Sequence, residues 1–406
     1  MISKFPRFCA FILLLPCLFA CGVAEIKQQS EILENASQIT GQIKRTSTQT
    51  GPLKAMVFEQ HDDLITLEGV LPTNEYGIYS AAVTPGSYQI VAFIDHNLDG
   101  IYQTSEHAAF NANQPFVTVK ANETQTIDTL IISNDVFSHN EYDTSKEASK
   151  AYANVGKVTS MNDPLFSRKH YSNGMWKPMD FLQDIGGGLF MLEEYQPEKT
   201  PILFIHGLSG GPKDWQPLIK KLDHSRFQPW VYYYPTGIQL QFSTDFLVMA
   251  IFELQQRYQF NEIIVAAHSM GGLIARAFVK EFIHNYPSQQ NLVKMLISIN
   301  APMNGMRSAA DGVKHSPVVV QSWRDLAEGS DFIADLQQWH WPDHIPYHLI
   351  FSFQQNDSSD GIIPIDSQIP MRTQNESTRI YGFVNSHAGT LEDREFITLF
   401  NALVNE

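Results

Sequence analysis

The chain has 406 residues, of which 43% are hydrophobic and 17% charged, so it is long and apolar enough to bury a sizeable core and is neither disordered nor fibrous in composition. Its formal net charge is −15. Such a surface repels phosphate backbones and argues against nucleic acid as a partner; anionic lipid would not hold it by charge alone.

Residues 1–20 read as an export signal, with Lys4 and Arg7 ahead of an apolar run over 8–20 that is too short for a permanent membrane span. The run ends in Leu18-Phe19-Ala20-Cys21, which resembles the lipobox of bacterial lipoproteins, with Phe19 departing from the usual residue. The resemblance implies acylation of Cys21 and stable attachment to the cell envelope by lipid chains. Gly22, where Asp would mark inner-membrane retention, implies the outer membrane. A plain secretory signal with coincidental cysteines is the alternative. All three cysteines (Cys9, Cys17, Cys21) lie here, so removal of the signal leaves no pair for a disulfide or a cysteine metal site. Residues 21–50, rich in Gln, Ser, Thr and Glu, read as the lipidated Cys and a tether.

Over 51–135 the pattern changes to short alternating stretches at 53–59, 64–70, 77–83, 88–95, 116–120 and 126–132, separated by turn residues such as Pro72-Thr73-Asn74 and Pro85-Gly86. Period-two alternation between turns predicts a small all-β sandwich. Within it, Asp95-His96-Asn97-Leu98-Asp99-Gly100-Ile101, closed by Glu106, fits a calcium loop position by position. Asp95, Asn97, Asp99 and Glu106 would offer side-chain oxygens, and Ile101 its carbonyl. The flanks read as strand, so this would be a structural calcium site between strands; an acidic surface turn is the alternative.

Residues 136–180 are polar and aperiodic and read as a linker or a wrapping segment. From 181 to 406, apolar strand-like runs at 201–205, 230–234, 262–266, 293–299, 347–353 and 378–384 alternate with longer helical patterns. Strands spaced by helices predict an α/β domain with a mostly parallel, doubly wound sheet.

Ala267-His268-Ser269-Met270-Gly271-Gly272 follows one of these strands and opens a helical run. This is the context of a nucleophile elbow, in which small residues two before and two after the serine relieve a tight turn. Ser269 would stand at a helix N-terminus, where N–H groups favour developing negative charge. Upstream, His206-Gly207-Leu208-Ser209-Gly210-Gly211 ends another strand. The N–H groups of Leu208 and Met270 would make a two-donor oxyanion hole. Asp360 and His387 follow at the ends of later strands, in the order serine, acid, histidine. Asp357 is the rival acid. His268 reads as structural.

The elbow and the His-Gly loop resemble those of small bacterial triacylglycerol lipases. Asn300-Ala301-Pro302-Met303-Asn304-Gly305 is similar to a segment of lipases and inositol-deacylase-like hydrolases, and so is the stretch with Asp325-Leu326, Gly329-Ser330, Phe332 and Leu336. The resemblance implies an α/β-hydrolase fold and a serine lipase or esterase acting on ester or lipid substrates, with no cofactor for catalysis. Residues 306–346 carry Trp323, Leu326, Ile333, Leu336, Trp339 and Trp341 at near-helical spacing, a helical cap over an acyl pocket or a helix packed as core. An acyltransferase or amidase would use the same triad, and a catalytically silent envelope scaffold would keep the fold. The sequence names no protein partner for the sandwich.

Overall fold

The computed structural model describes residues 14–62, 64–134 and 154–406, with side chains from 24 onward. Residues 1–13 of the export signal and the side chain of Cys21 therefore lie outside the described residues. Helix α1 spans Leu14–Glu34. Eight strands follow: β1 Ser37–Arg45, β2 Leu53–His61, β3 Leu64–Pro72, β4 Ile78–Val83, β5 Gly86–Ile94, β6 Ala108–Phe110, β7 Val117–Val119 and β8 Thr124–Ile132. They form a three-stranded sheet in the order β4-β1-β8 facing a second sheet, β3-β2-β5-β6, with β7 beside β5.

Alternate residues of β2 and β5 explain how this sandwich is used. Ala55, Val57, Ile90, Ala92 and Ile94 fill the space between the two sheets. Met56, Phe58, Val91 and Phe93 point the other way into a second apolar cluster that includes Met249 of the larger domain. Both faces of the sheet are thus covered, as a near-continuous apolar run in β2 requires.

The tether expected over 21–50 is not a tether in the structure. Ser37–Arg45 is an interior strand, antiparallel to β4 and parallel to β8, with Ile39 and Ile43 buried between the sheets. From α1, Ser30 Oγ donates to the Val319 carbonyl (2.8 Å), Gln29 Nε2 to Asp180 (2.7 Å), and Glu34 pairs with Arg324 (2.7 Å).

Of the segment over 136–180, read as a linker or a wrapping segment, the described part wraps against the larger domain and is no free linker; residues 136–153 lie outside the described residues. Strand β9 (Lys157–Val158) pairs with β10 (Gly188–Met191), and helices α2 (Arg168–Trp176) and α3 (Pro178–Asp184) bury Tyr171, Met175 and Phe181.

The remaining elements are β11 Thr200–Ile205, α4 Gln216–Ile219, β12 Phe227–Tyr233, α5 Leu240–Tyr258, β13 Ile263–His268, α6 Met270–Asn285, β14 Val293–Ile299, α7 Arg307–His315, α8 Gln321–Leu326, α9 Asp331–Gln338, β15 Tyr347–Phe353, α10 Ile365–Gln368, α11 Met371–Glu376, β16 Arg379–Val384 and α12 Arg394–Val404. The eight-stranded sheet runs β16-β15-β14-β13-β11-β12-β10-β9. Its strands are parallel except where β10 meets β12. Leu203, Ile205, Val265 and Ala267 face α5 and α6, while Ile202, Phe204, Ile264 and Ala266 face α4 and α12. Helices on both faces leave the C-terminal strand ends as the open edge, where sheets of this kind place their sites.

The two domains are joined by a buried ion network. Lys54 Nζ of β2 lies 2.7 Å from Asp95 and 2.8 Å from Glu253 of α5, with no exposed side-chain surface on the lysine. Arg257 adds a longer contact to Glu253 at 3.6 Å.

Candidate active site

Strand β13 is fully buried and turns into α6 at Ser269, whose φ is 56° and ψ −131°. A residue with a side chain rarely holds such angles, so the turn survives only where its surroundings enforce it. They leave no spare room. A Cβ on Gly271 would stand 2.4 Å from the Ile205 carbonyl oxygen, and one on Gly207 would stand 2.7 Å from Ser269 Cβ. The glycine loop after β11 and the elbow after β13 therefore touch backbone against side chain. Ser269 is 7% exposed.

Asp360 and His387 meet each other, and His387 lies against His268, the residue before Ser269. His387 Nδ1 lies 2.6 Å from Asp360 Oδ2, and the His387 N–H donates to the Asp360 carbonyl at 2.9 Å. The other carboxylate oxygen, Oδ1, accepts the N–H groups of Ile362 (2.9 Å) and Ile363 (2.7 Å). Asp360 is buried and has every oxygen engaged, whereas Asp357 is exposed.

As the first residue of α6, Met270 has an N–H with no acceptor inside its own helix. Leu208 sits in a loop fixed by Gly210 N–H to the Gly207 carbonyl (3.1 Å) and Ser209 N–H to Thr236 Oγ1 (3.2 Å). His206 anchors that loop from below. Its ring stacks on Tyr234 at 4.3 Å, and the Tyr234 hydroxyl donates to the His206 carbonyl at 2.6 Å. Burial pushes the His206 pKa down to about 4.

Two side chains that the sequence left aside belong to this assembly. His268 Nε2 lies 3.0 Å from the carbonyl oxygen of His387, and Asn300 Nδ2 donates to the same oxygen at 2.9 Å. Burial first, then the neighbouring His387, push the His268 pKa down to about 3. The signal in the sequence was adjacency to Ser269 for His268 and, for Asn300, its place at the head of the lipase-like segment after β14; nothing local announces a contact across 119 positions.

The residues read as a calcium loop meet a different arrangement. Asp95, Asn97, Asp99, Ile101 and Glu106 share the turn after β5, in the other domain from Ser269. Asp95 accepts the N–H groups of Asp99 (3.1 Å) and Gly100 (3.0 Å) and also holds the Lys54 ammonium. Glu106 accepts the N–H groups of His96 (2.8 Å) and Gln103 (3.0 Å). Its carboxyl is raised by burial and then by the charges of Asp95 and Asp99. Among the described residues, one other group, Glu59, His61 and Glu68, brings its carboxylate and imidazole ligand atoms within 4.8 Å of one another. Lys54 places a buried positive charge 2.7 Å from Asp95 Oδ2.

Helices α7 to α9 fill the segment read as a cap. Leu326, Ile333, Leu336 and Trp341 join the apolar cluster of β13 and α6, so the inner side of this segment is core. Arg276 of α6 holds it in place, donating to the Trp339 carbonyl (3.2 Å) and Glu376 (2.6 Å) with its guanidinium over the Trp339 and Trp341 rings. Two cavities of about 330 and 520 Å³ lie along the seam between the domains, lined by Ala82, Val83, Phe242 and Phe246. Neither is lined by Ser269, Asp360 or His387, so neither is the space in front of the elbow.

Residues 239–374 match the family described as alpha/beta hydrolase of unknown function (DUF915). No curated protein matches the chain in sequence. Among solved structures it is similar to mature Bacillus licheniformis lipase BlEst2, with 16% identity and a TM-score of 0.41 over 53% of this chain and 97% of that one. It is also similar to the lin2722 gene product of Listeria innocua (14% identity, TM-score 0.39, 51% and 94%) and to Aspergillus fumigatus lipase B (15%, 0.42, 54% and 56%). With its strand order, its helices on both faces and the matched segment, the larger domain has the α/β-hydrolase fold, preceded by a β-rich domain.

Proposed function

We propose that this protein is a serine hydrolase of carboxylic esters, with lipid-like esters as its substrates and Cys21 as its lipid anchor in the outer membrane of a bacterial envelope. The observation that carries the reading is the buried Asp360–His387 pair at 2.6 Å, tied through the His387 carbonyl to His268, the residue before a serine held at φ 56° on a strand-to-helix turn. In this reading His387 Nε2 takes the proton of Ser269 Oγ as that oxygen attacks the ester carbonyl carbon. Asp360 keeps the second proton of the imidazole on Nδ1. The N–H groups of Leu208 and Met270 receive the negative oxygen, each contributing about 2.7–4 kcal/mol to the transition state. The alcohol leaves with the proton from His387, and water delivered through the same histidine hydrolyses the acyl-Ser269 intermediate. The lipid-like substrate and the anchor rest on the sequence resemblance and on the signal segment.

The test is hydrolysis of p-nitrophenyl esters from acetyl to palmitoyl by the chain from Val23 onward, beside Ser269→Ala. Turnover that the substitution abolishes supports the reading. A profile that falls steeply beyond acetyl would remove the lipid-like substrate and leave a short-chain esterase.

A further inference from the structure

We infer that His268 and Asn300 are positioning residues that register the base to the nucleophile, by holding the main-chain carbonyl of His387 between two side-chain donors. The inference rests on the serine-hydrolase reading and deepens it. A histidine at the end of a strand is carried by a loop, and a loop alone does not fix a ring to the tolerance that proton transfer demands. A misplacement of about 1 Å can cost about 10²-fold in rate. Here the loop is tied back to the elbow. His268 precedes Ser269 directly, and its Nε2 reaches the His387 carbonyl at 3.0 Å. Asn300 follows β14, whose Ile299 carbonyl accepts the Ser269 N–H at 2.9 Å, and its Nδ2 reaches the same carbonyl at 2.9 Å. Both segments that hold the serine therefore end in a donor on the histidine.

The chemistry of the two donors is one-directional. A carbonyl oxygen only accepts, so His268 must carry its proton on Nε2, and a ring with a pKa near 3 is neutral with a single N–H wherever the base works. Its ring also lies against that of His387, with centroids 4.7 Å apart. A neutral ring there adds no repulsion when His387 becomes charged. Asn300 has the same compulsion. Its Nδ2 meets the His387 carbonyl and Thr390 Oγ1 (3.0 Å), while Oδ1 is buried without a partner. Flipping the amide would aim an oxygen at an oxygen, so the orphaned Oδ1 is the consequence of using Nδ2 as the clamp. At φ 48° the Asn300 backbone also sits where Asn or Asp is tolerated better than most residues.

The experiment compares the parent with His268→Leu, His268→Gln and Asn300→Asp. It measures kcat and KM on a p-nitrophenyl ester, the rate of Ser269 labelling by a fluorophosphonate, and the melting temperature. Leu removes the donor, Gln returns one at nearly the same reach, and Asp replaces Nδ2 by an acceptor without changing volume. The expected result is a fall in kcat and labelling rate of roughly 10–100-fold for His268→Leu and Asn300→Asp, with KM within about threefold. His268→Gln should recover to within about fivefold of the parent, which a merely structural role would not produce in kcat alone. A reactive parent with equally reactive His268→Leu and Asn300→Asp would overturn the inference and leave the hydrolase reading standing, as would a His268→Gln no better than Leu. An unreactive parent would overturn both.

Discussion

Asp360→Asn separates the chemistry of the site from its packing, because the structure dictates which way the new amide must face. Asp360 Oδ1 accepts two backbone N–H groups, from Ile362 and Ile363 at 2.9 and 2.7 Å. An asparagine at this position must put its carbonyl oxygen there, since an NH₂ facing two N–H groups would orphan all of them. Its NH₂ then occupies the place of Oδ2, 2.6 Å from His387 Nδ1. A donor facing Nδ1 forces the imidazole proton onto Nε2, toward Ser269, where it can no longer accept the serine proton. With the wrong tautomer enforced, kcat should fall by about 10⁴, equivalent to about 5.4 kcal/mol of barrier. The fold should barely notice, since volume and the two backbone hydrogen bonds are kept. The assay is ester hydrolysis beside thermal unfolding: the melting temperature stays near that of the parent while turnover collapses. A variant that keeps more than about a tenth of the parent's kcat would refute the orientation argument and the role given to Asp360.

Acid should weaken the fold through two buried histidines. His206 and His268 have pKa values pushed to about 4 and about 3, against an ordinary 6.5, so the unfolded chain binds protons that the folded chain refuses. Stability is therefore full above about pH 6.5 and falls as the pH drops from there, toward about 4 for His206 and about 3 for His268, by at most roughly 3 and 5 kcal/mol respectively. Urea midpoints that do not move between pH 7 and 4.5 would contradict this. Lys54→Met should cost about 3–5 kcal/mol, because it takes the shared ammonium from the buried carboxylates of Asp95 and Glu253 and leaves Glu253 only its longer contact to Arg257. Denaturant unfolding measures it, and a loss below about 1 kcal/mol would mean that the domains do not depend on this network. Millimolar calcium should leave the melting temperature unchanged, since Lys54 already neutralises Asp95. A rise worth about 1.4–2.7 kcal/mol, expected for binding at roughly 10 to 100 times Kd, would restore the loop as a calcium site if Asp99→Ala removed it.

The parts of the molecule legible in the sequence are those whose signal is local. The strands β2, β3, β4, β5 and β8 announce themselves as short apolar stretches between Gly, Pro and Asn turns, and the elbow by a buried strand, a serine among glycines and a helix. Strand β1 escaped because only Ile39 and Ile43 are apolar within Ser37–Arg45, and their polar neighbours look like the segment before them. Its place between β4 and β8 is decided by partners far along the chain. Helices α2 and α3 escaped because they pack through scattered aromatic residues, Tyr171 and Phe181, not a continuous stripe. Lys54 gave no warning either, for a lysine within a strand reads as a solvent-facing residue until Glu253 arrives from the other domain. The clamp on His387 belongs to the same class: His268 and Asn300 acquire a role only where three strand ends converge.

The most direct test of the central claim is the intact mass of the protein after reaction with a fluorophosphonate, followed by peptide mapping. A single adduct on Ser269, absent in Ser269→Ala and formed at least about 100-fold more slowly in His387→Ala, is the predicted result. A folded protein that takes no adduct, or takes it on another serine, would contradict the account.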